Sequence, residues 1–318
     1  MSDLTNPIFK SENKARAFLE AQRWPDGPVC PFCRGRDRVR PLPPKGSMGK
    51  GWYHCNACRK KFTVRVGTLY ERSHIPLHKW LLATHLMCAS KKGISAHQLH
   101  RMLGITYKSA WFMAHRIREG MRETSPAPMG GGGQMVEADE TWFGHKNRGK
   151  RRMVWVNGKG WVFRGGAGAH AMKIISLVER GGRARSVHVP ALTASSAKSV
   201  LRRNLIRKTT KLITDESNIY KAVGREFESH EAVNHSEYEW ARGMISTNTV
   251  EGFFSIFKRG MRGVYQHCSE AHLFRYLAEF DFRYSNRKIT DAERAREAIK
   301  GIEGKRLTYR GTGQARYA

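Results

Sequence analysis

The chain has 318 residues, with 57 Lys and Arg against 27 Asp and Glu, a formal charge of +30, and 40% hydrophobic residues. That length fits about two domains at roughly 150 residues each, with enough apolar sequence for sizeable cores. Positive charge spread along the whole chain calls for a polyanionic partner, nucleic acid first. No run approaches ~18 apolar residues and no apolar signal core follows the N-terminus, so a membrane span is excluded and a soluble, cytoplasmic protein is expected.

Residues 1–27 are predicted to hold an amphipathic helix, with Ala15, Phe18 and Leu19 at helical spacing. Residues 28–70 carry two C-x-x-C pairs, Cys30 with Cys33 and Cys55 with Cys58, separated by 21 residues. In a reducing compartment that pattern reads as metal ligation before disulfides. Four thiolates suit one tetrahedral structural zinc gripped by two knuckles, with Tyr53 and Phe62 packed beneath it. Cys88 and Cys268 read as small buried hydrophobes.

Residues 74–124 alternate helical patterns with breaks at Gly93 and Gly104. Ile94, Leu99, Met102 and Leu103 share one face, and Ile105, Ala110, Trp111, Met113 and Ile117 resume the pattern after Gly104. Two such helices joined by a short glycine turn fit a helix-turn-helix, with an ordinary helical hairpin as the plainer reading. Tyr107, Lys108, Arg116 and Arg118 are its candidate DNA contacts. The stretch SPAPMGGGG, residues 125–133, reads as a flexible linker and the main domain boundary.

Beyond it the pattern turns to strands: residues 135–141, a hairpin at 154–163 around Asn157-Gly158, then 170–178 and 184–189. A helix at 194–206, a strand at 210–214, a helix at 219–227, a strand at 231–235 and helices at 248–262 and 270–285 complete it. The prediction is an α/β domain over residues 134–290, a mixed sheet with flanking helices, followed by a basic tail at 291–318.

Three acids stand out. Asp139 lies in MVEADET, where alternation puts Glu137, Asp139 and Thr141 on one face and Val136 and Ala138 on the other. Asp215 ends a buried run, and Glu251, with 35 residues between them, lies in STNTVEGFFSIFKRG. Carboxylates at two strand ends and on a helix can converge although distant in sequence, and hard oxygen ligands suit Mg²⁺ or Mn²⁺. Such ions serve in-line phosphoryl transfer. Each acid also has a structural reading: an exposed strand residue, a helix cap, and, for Asn248-x-x-Glu251, a capping box. Their combination in so basic a chain favours metal ligation. Lys258 sits two helical turns beyond Glu251, about 10 Å away, where it can hold a phosphate. Lys146, Arg148, Lys150, Arg151 and Arg152, just after the first acid, read as the DNA path.

Together CPFC, CNACRKKF, KSAWFMAHRIR, VEADET, TDES and NTVEGFFSIFKRG resemble the ISXO-like bacterial insertion-sequence transposases, from about residue 17 to 290. The resemblance implies a zinc ribbon, a DNA-binding helical region and a ribonuclease H-like catalytic domain of the DDE type. It implies cutting at transposon ends and strand transfer, with terminal inverted repeats and target DNA as partners and a homo-oligomer on the DNA. Asp139 matches the first acid, Asp215 the second, and Lys258 the basic residue beyond the third. That third position varies within the group; Glu251 is chosen on its spacing to Asp215 and Lys258, with Asn248 as the alternative. Two other functions fit the same features: a DNA-binding regulator built on the ribbon and helix-turn-helix, and a ribonuclease H-like nuclease without strand transfer.

Overall fold

Several helices start at a hydroxyl side chain that caps them. Ser11 caps α1 (Glu12–Arg23), with its Oγ accepting from the Lys14 amide. In the computed structural model, which describes residues 4–45, 49–144, 153–158, 160–163 and 171–309, the chain divides into two units. One holds Met1–Glu123 together with Arg287–Gly311, and the other is built on Thr124–Asn286.

In the first unit, β1 (Val39–Leu42), β2 (Trp52–Cys55) and β3 (Lys61–Thr63) form a small antiparallel sheet. Trp24, just beyond α1, meets the Tyr53 and Phe62 rings edge-on at 5.5 and 5.9 Å, which ties the helix to the ribbon. Helices α2 (Leu77–Ala89), α3 (Ala96–Leu103) and α4 (Tyr107–Met121) follow. Ser95 caps α3 and Thr106 caps α4. Between them Gly104 takes a left-handed conformation, which ends α3 and makes the tight turn that a helix-turn-helix and an ordinary helical hairpin share.

The second unit is a five-stranded sheet in the order β10-β9-β4-β7-β8. The strands are β4 (Gln134–Phe143), β7 (Met172–Glu179), β8 (Ala184–Val189), β9 (Thr210–Asp215) and β10 (Ser229–Val233). The pairs β4–β7 and β7–β8 are antiparallel, whereas β4–β9 and β9–β10 are parallel. Three antiparallel strands followed by two parallel ones give the mixed sheet expected from the pattern and the ribonuclease H-like arrangement that the family resemblance implies. β5 (Met153–Val156) and β6 (Gly160–Phe163) pair with each other outside this sheet.

Both sheet faces are covered, so strand residues of either parity are buried. One face packs Val136, Ala138, Ile175, Leu177 and Leu212 against α5 (Ala194–Asn204) and α6 (Asn218–Gly224). The other packs Ile174 and Val178 against α7 (Asn248–Gly260) and α8 (Glu270–Ser285), through Phe253, Phe257 and Phe280 among others. β11 (Ala241–Arg242) and β12 (Ile245–Ser246) make a short hairpin ahead of α7.

Two expectations are corrected. The SPAPMGGGG stretch is docked at Met129–Gly131 rather than a free linker throughout. Met129 is fully buried in the core, and its amide donates to the Asn204 carbonyl at 2.8 Å. Gly130 has φ +76°, and a Cβ there would lie 2.3 Å from Thr210 Oγ1, so glycine serves close approach and a left-handed backbone, not slackness. Nor is the C-terminal stretch a mere basic tail. α9 (Asp291–Lys300), started by a Thr290/Glu293 capping box, belongs to the first unit. Arg294 Nη1 donates to the Cys88 carbonyl at 2.8 Å, and the Leu69 amide donates to the Ile302 carbonyl at 3.1 Å. No helix among the described residues is long and apolar enough to cross a membrane.

Candidate active site

The parallel ladder of β4 and β9 ends with Glu137 opposite Ile213. Carried two residues further, that register brings Asp139 level with Asp215. Their carboxylates, with that of Glu140, place one oxygen each within 4.8 Å of one another. Burial and then the neighbouring Asp215 charge push the Asp139 carboxyl up to about 7. Burial likewise raises Glu140 and Asp215. Such an assembly repels itself and is relieved by a divalent cation, for which three clustered carboxylates are a fitting hard-oxygen donor set.

Glu140 is the site member that the sequence reading misses. Alternation sends it to the α6 face, where Tyr220 Oη donates to its Oε2 at 2.7 Å. It reaches Asp215 because β9 stops beside it. The available signal is a third acid in VEADET, next in sequence to Asp139. The helix-cap reading of Asp215 reduces to one contact, its Oδ1 accepting from the Ser217 amide at 3.1 Å.

Glu251 stands outside that close trio but adds to the upward push on Asp139. The capping-box reading of Asn248 and Glu251 is not formed. The N-cap of α7 is Thr247, and exposed Asn248 is the first helical residue. Thr247 Oγ1 donates instead to Glu251 Oε1 at 2.7 Å, and His235 Nε2 lies 3.5 Å from the same oxygen. Lys258 is half-buried two turns along α7, its Nζ 5.9 Å from the Phe254 ring centroid.

The start of α7 is held by Glu137, which is fully buried. Its Oε2 accepts from the Thr249 and Val250 amides at 2.8 and 2.9 Å, and its Oε1 from Thr249 Oγ1 at 2.8 Å. A carboxylate there satisfies orphan amides and complements the helix dipole. Arg180 Nε pairs with Glu137 Oε1 at 2.7 Å while its Nη2 donates to the Ser246 carbonyl at 2.9 Å. Glu137 and Arg180 thus fix the segment that presents Glu251.

In the first unit the four cysteine sulfurs lie within 4.8 Å of one another, with Cys30–Cys58 and Cys33–Cys55 at 3.6 Å. Thiolates bound to one zinc at about 2.3 Å form a tetrahedron with edges of about 3.8 Å, so the cluster fits a structural zinc. Both knuckles put the arginine after the second cysteine, Arg34 and Arg59, in the left-handed region. The Cys58 amide points at the Cys55 sulfur and brings its thiol down to about 7.

The candidate DNA contacts divide. Tyr107 and Lys108 are exposed at the start of α4, with Tyr107 stacked on His97 at 4.2 Å. Arg116 and Arg118 are buried, 7% and 2% exposed, which corrects their reading as DNA contacts. Arg116 donates to the Glu71 carbonyl at 2.6 Å and lies over the Trp80 ring, so it braces the helical core. Lys146, Arg148, Lys150, Arg151 and Arg152 lie outside the described residues.

Residues 130–285 match the ISXO2-like transposase domain, and residues 10–61 match the transposase zinc-ribbon domain. The chain is 28% identical over 284 residues to a protein of Halobacterium salinarum, "Uncharacterized protein in transposable element ISH50". That alignment covers 86% of this chain and 91% of that protein. Among solved structures it is similar to the Mos1 transposase paired-end complex with left transposon end, at 16% identity and a TM-score of 0.29, covering 65% of this chain and 70% of the other. The Mos1 strand transfer complex is similar at 15% identity and a TM-score of 0.28, with the same coverage.

Proposed function

Because the chain belongs to the ISXO2-like insertion-sequence transposases, with their zinc ribbon and DDE domain, we propose that it binds the ends of its own element, cleaves them and joins the strands to target DNA. The observation that supports this most is the meeting of Asp139, midway along β4, with Asp215 at the end of the adjacent parallel strand β9, beside Glu140 and near Glu251.

In this reading Asp139, Asp215 and Glu251 hold the divalent ions, Mg²⁺ or Mn²⁺, with Glu140 beside them. When bound, such ions activate a water or a 3′-hydroxyl and stabilise the leaving oxygen of an in-line displacement. The protein's part is placement. Glu137 and Arg180 hold the start of α7, Thr247 and His235 orient the Glu251 carboxylate, and Lys258 holds a phosphate of the DNA end. Cys30, Cys33, Cys55 and Cys58 hold the structural zinc. Exposed Tyr107 and Lys108, with the basic run 146–152, meet DNA. Terminal inverted repeats and target duplex are the partners, and paired ends call for more than one copy of the chain.

The test is cleavage and strand transfer on duplexes that carry the element's ends. Asp139→Asn and Asp215→Asn each remove a charge and keep side-chain volume. Both are expected to abolish chemistry while end binding persists; near-normal strand transfer by either variant overturns the reading.

A further inference from the structure

The β5–β6 hairpin stands apart from the five-stranded sheet, yet it carries a pair of large aromatics. Trp155 and Trp161 face each other directly across the two strands. Their rings meet edge to face at 5.8 Å, and they are 61% and 63% exposed. Met153 on the same hairpin is 44% exposed. The hairpin needs no such residues to cover a core, and two exposed tryptophans form an apolar surface that water does not favour.

The sequence around the pair identifies what meets it. Residues 145–166 contain seven Lys and Arg and no Asp or Glu. A second copy of this chain would bring the same basic segment toward its own like, whereas nucleic acid brings opposite charge. Aromatic residues within a cationic stretch of sequence match the two needs of unpaired DNA, stacking for the bases and neutralisation for the phosphates. The hairpin also joins the strand that bears Asp139 to its antiparallel neighbour β7.

We propose that Trp155 and Trp161 form a stacking platform for unpaired bases of the DNA on which the enzyme acts. The inference rests on the transposase reading above and adds a contact to bases rather than to phosphates.

The experiment uses the full chain with two fluorescently labelled probes, a single-stranded oligodeoxythymidylate and a fully paired duplex of equal length, each titrated over a range of salt. The Trp155→Ala, Trp161→Ala double variant is expected to lose roughly tenfold in affinity for the single strand. Its duplex affinity stays within about twofold, and its salt slope is unchanged because no cation is removed. Trp155→Phe with Trp161→Phe restores most of the single-strand affinity, as a stacking role requires and a folding defect does not. Unchanged single-strand affinity in the alanine variant, or an equal loss on both probes, overturns the proposal. So does an altered association state of the DNA-free protein with binding intact, which would mark the pair as a contact between copies. Wild-type protein that binds neither probe removes the transposase reading itself, a result distinct from the other three.

Discussion

Glu137 reaches across from the central strand to Val250 and holds the start of α7 through that residue's amide at 2.9 Å. The contact joins a fully buried carboxylate to the helix that presents Glu251 and Lys258. Glu137→Ala strips acceptors from two amides and a hydroxyl and leaves Arg180 without its carboxylate. A loss of roughly 3–5 kcal/mol in urea denaturation is expected, as for breaking one side of a buried pair. Glu137→Gln keeps a carbonyl acceptor and is expected to be milder in stability, with cleavage slowed more than end binding is weakened. Equal loss of binding and cleavage by Glu137→Gln would count against a positioning role.

Asp139 gives a pH-dependent prediction. Its folded carboxyl is pushed up to about 7 from an ordinary value of 3.8. Between those values the folded chain binds more protons than the unfolded chain, so stability falls as pH rises through that window. Asp139→Asn lacks this penalty. With no divalent cation added it is expected to be more stable than wild type above pH 7, by on the order of 2–4 kcal/mol. The gap closes as pH falls toward 4. Thermal denaturation at several pH values measures it, and a gap that does not vary with pH would contradict the assigned cause.

Arg116 and Lys108 lie on one helix and are expected to fail in different ways. Arg116→Ala removes a buried guanidinium from Trp80 and from the Glu71 carbonyl, so it lowers stability by a few kcal/mol. Lys108→Ala leaves stability nearly unchanged and weakens end binding, with a salt slope smaller by about one. Denaturation and binding measured on both variants separate the two roles.

Glu251 and Asn248 are separated by substitution. Glu251→Gln is expected to abolish cleavage with end binding retained, whereas Asn248→Ala cleaves. The reverse pattern moves the third site position to Asn248. Lys258→Ala is expected to be milder, raising the DNA concentration needed for cleavage.

Zinc removal is expected to act on one unit. A strong zinc chelator should open residues 28–63 to protease while the core of Thr124–Asn286 stays protected, since metal binding supplies much of the folding energy of a small ribbon. Elemental analysis of protein purified without chelators is expected to give one zinc per chain.

The sequence makes some of this legible and hides the rest for physical reasons. The cysteine knuckles and the succession of strands and helices along the chain are readable because spacing and alternation are local. Asp139 and Asp215 stand out because each ends or interrupts an apolar strand. Glu140 escapes because alternation assigns it to the opposite face, and only the early end of β9 brings it to Asp215. Arg116 and Arg118 look like DNA contacts because their burial depends on residues distant in sequence. At Gly130, composition alone does not distinguish a slack linker from a backbone that must press against Thr210.

The return of α9 to the first unit sets an order of assembly during synthesis. Residues Thr124–Asn286 are contiguous, so that unit has all its elements before α9 is made. The unit with the zinc ribbon waits for Arg294 and Ile302, which follow that whole segment in the chain. A chain cut short before Asp291 therefore carries the carboxylate trio complete while the zinc-ribbon unit lacks its closing helix.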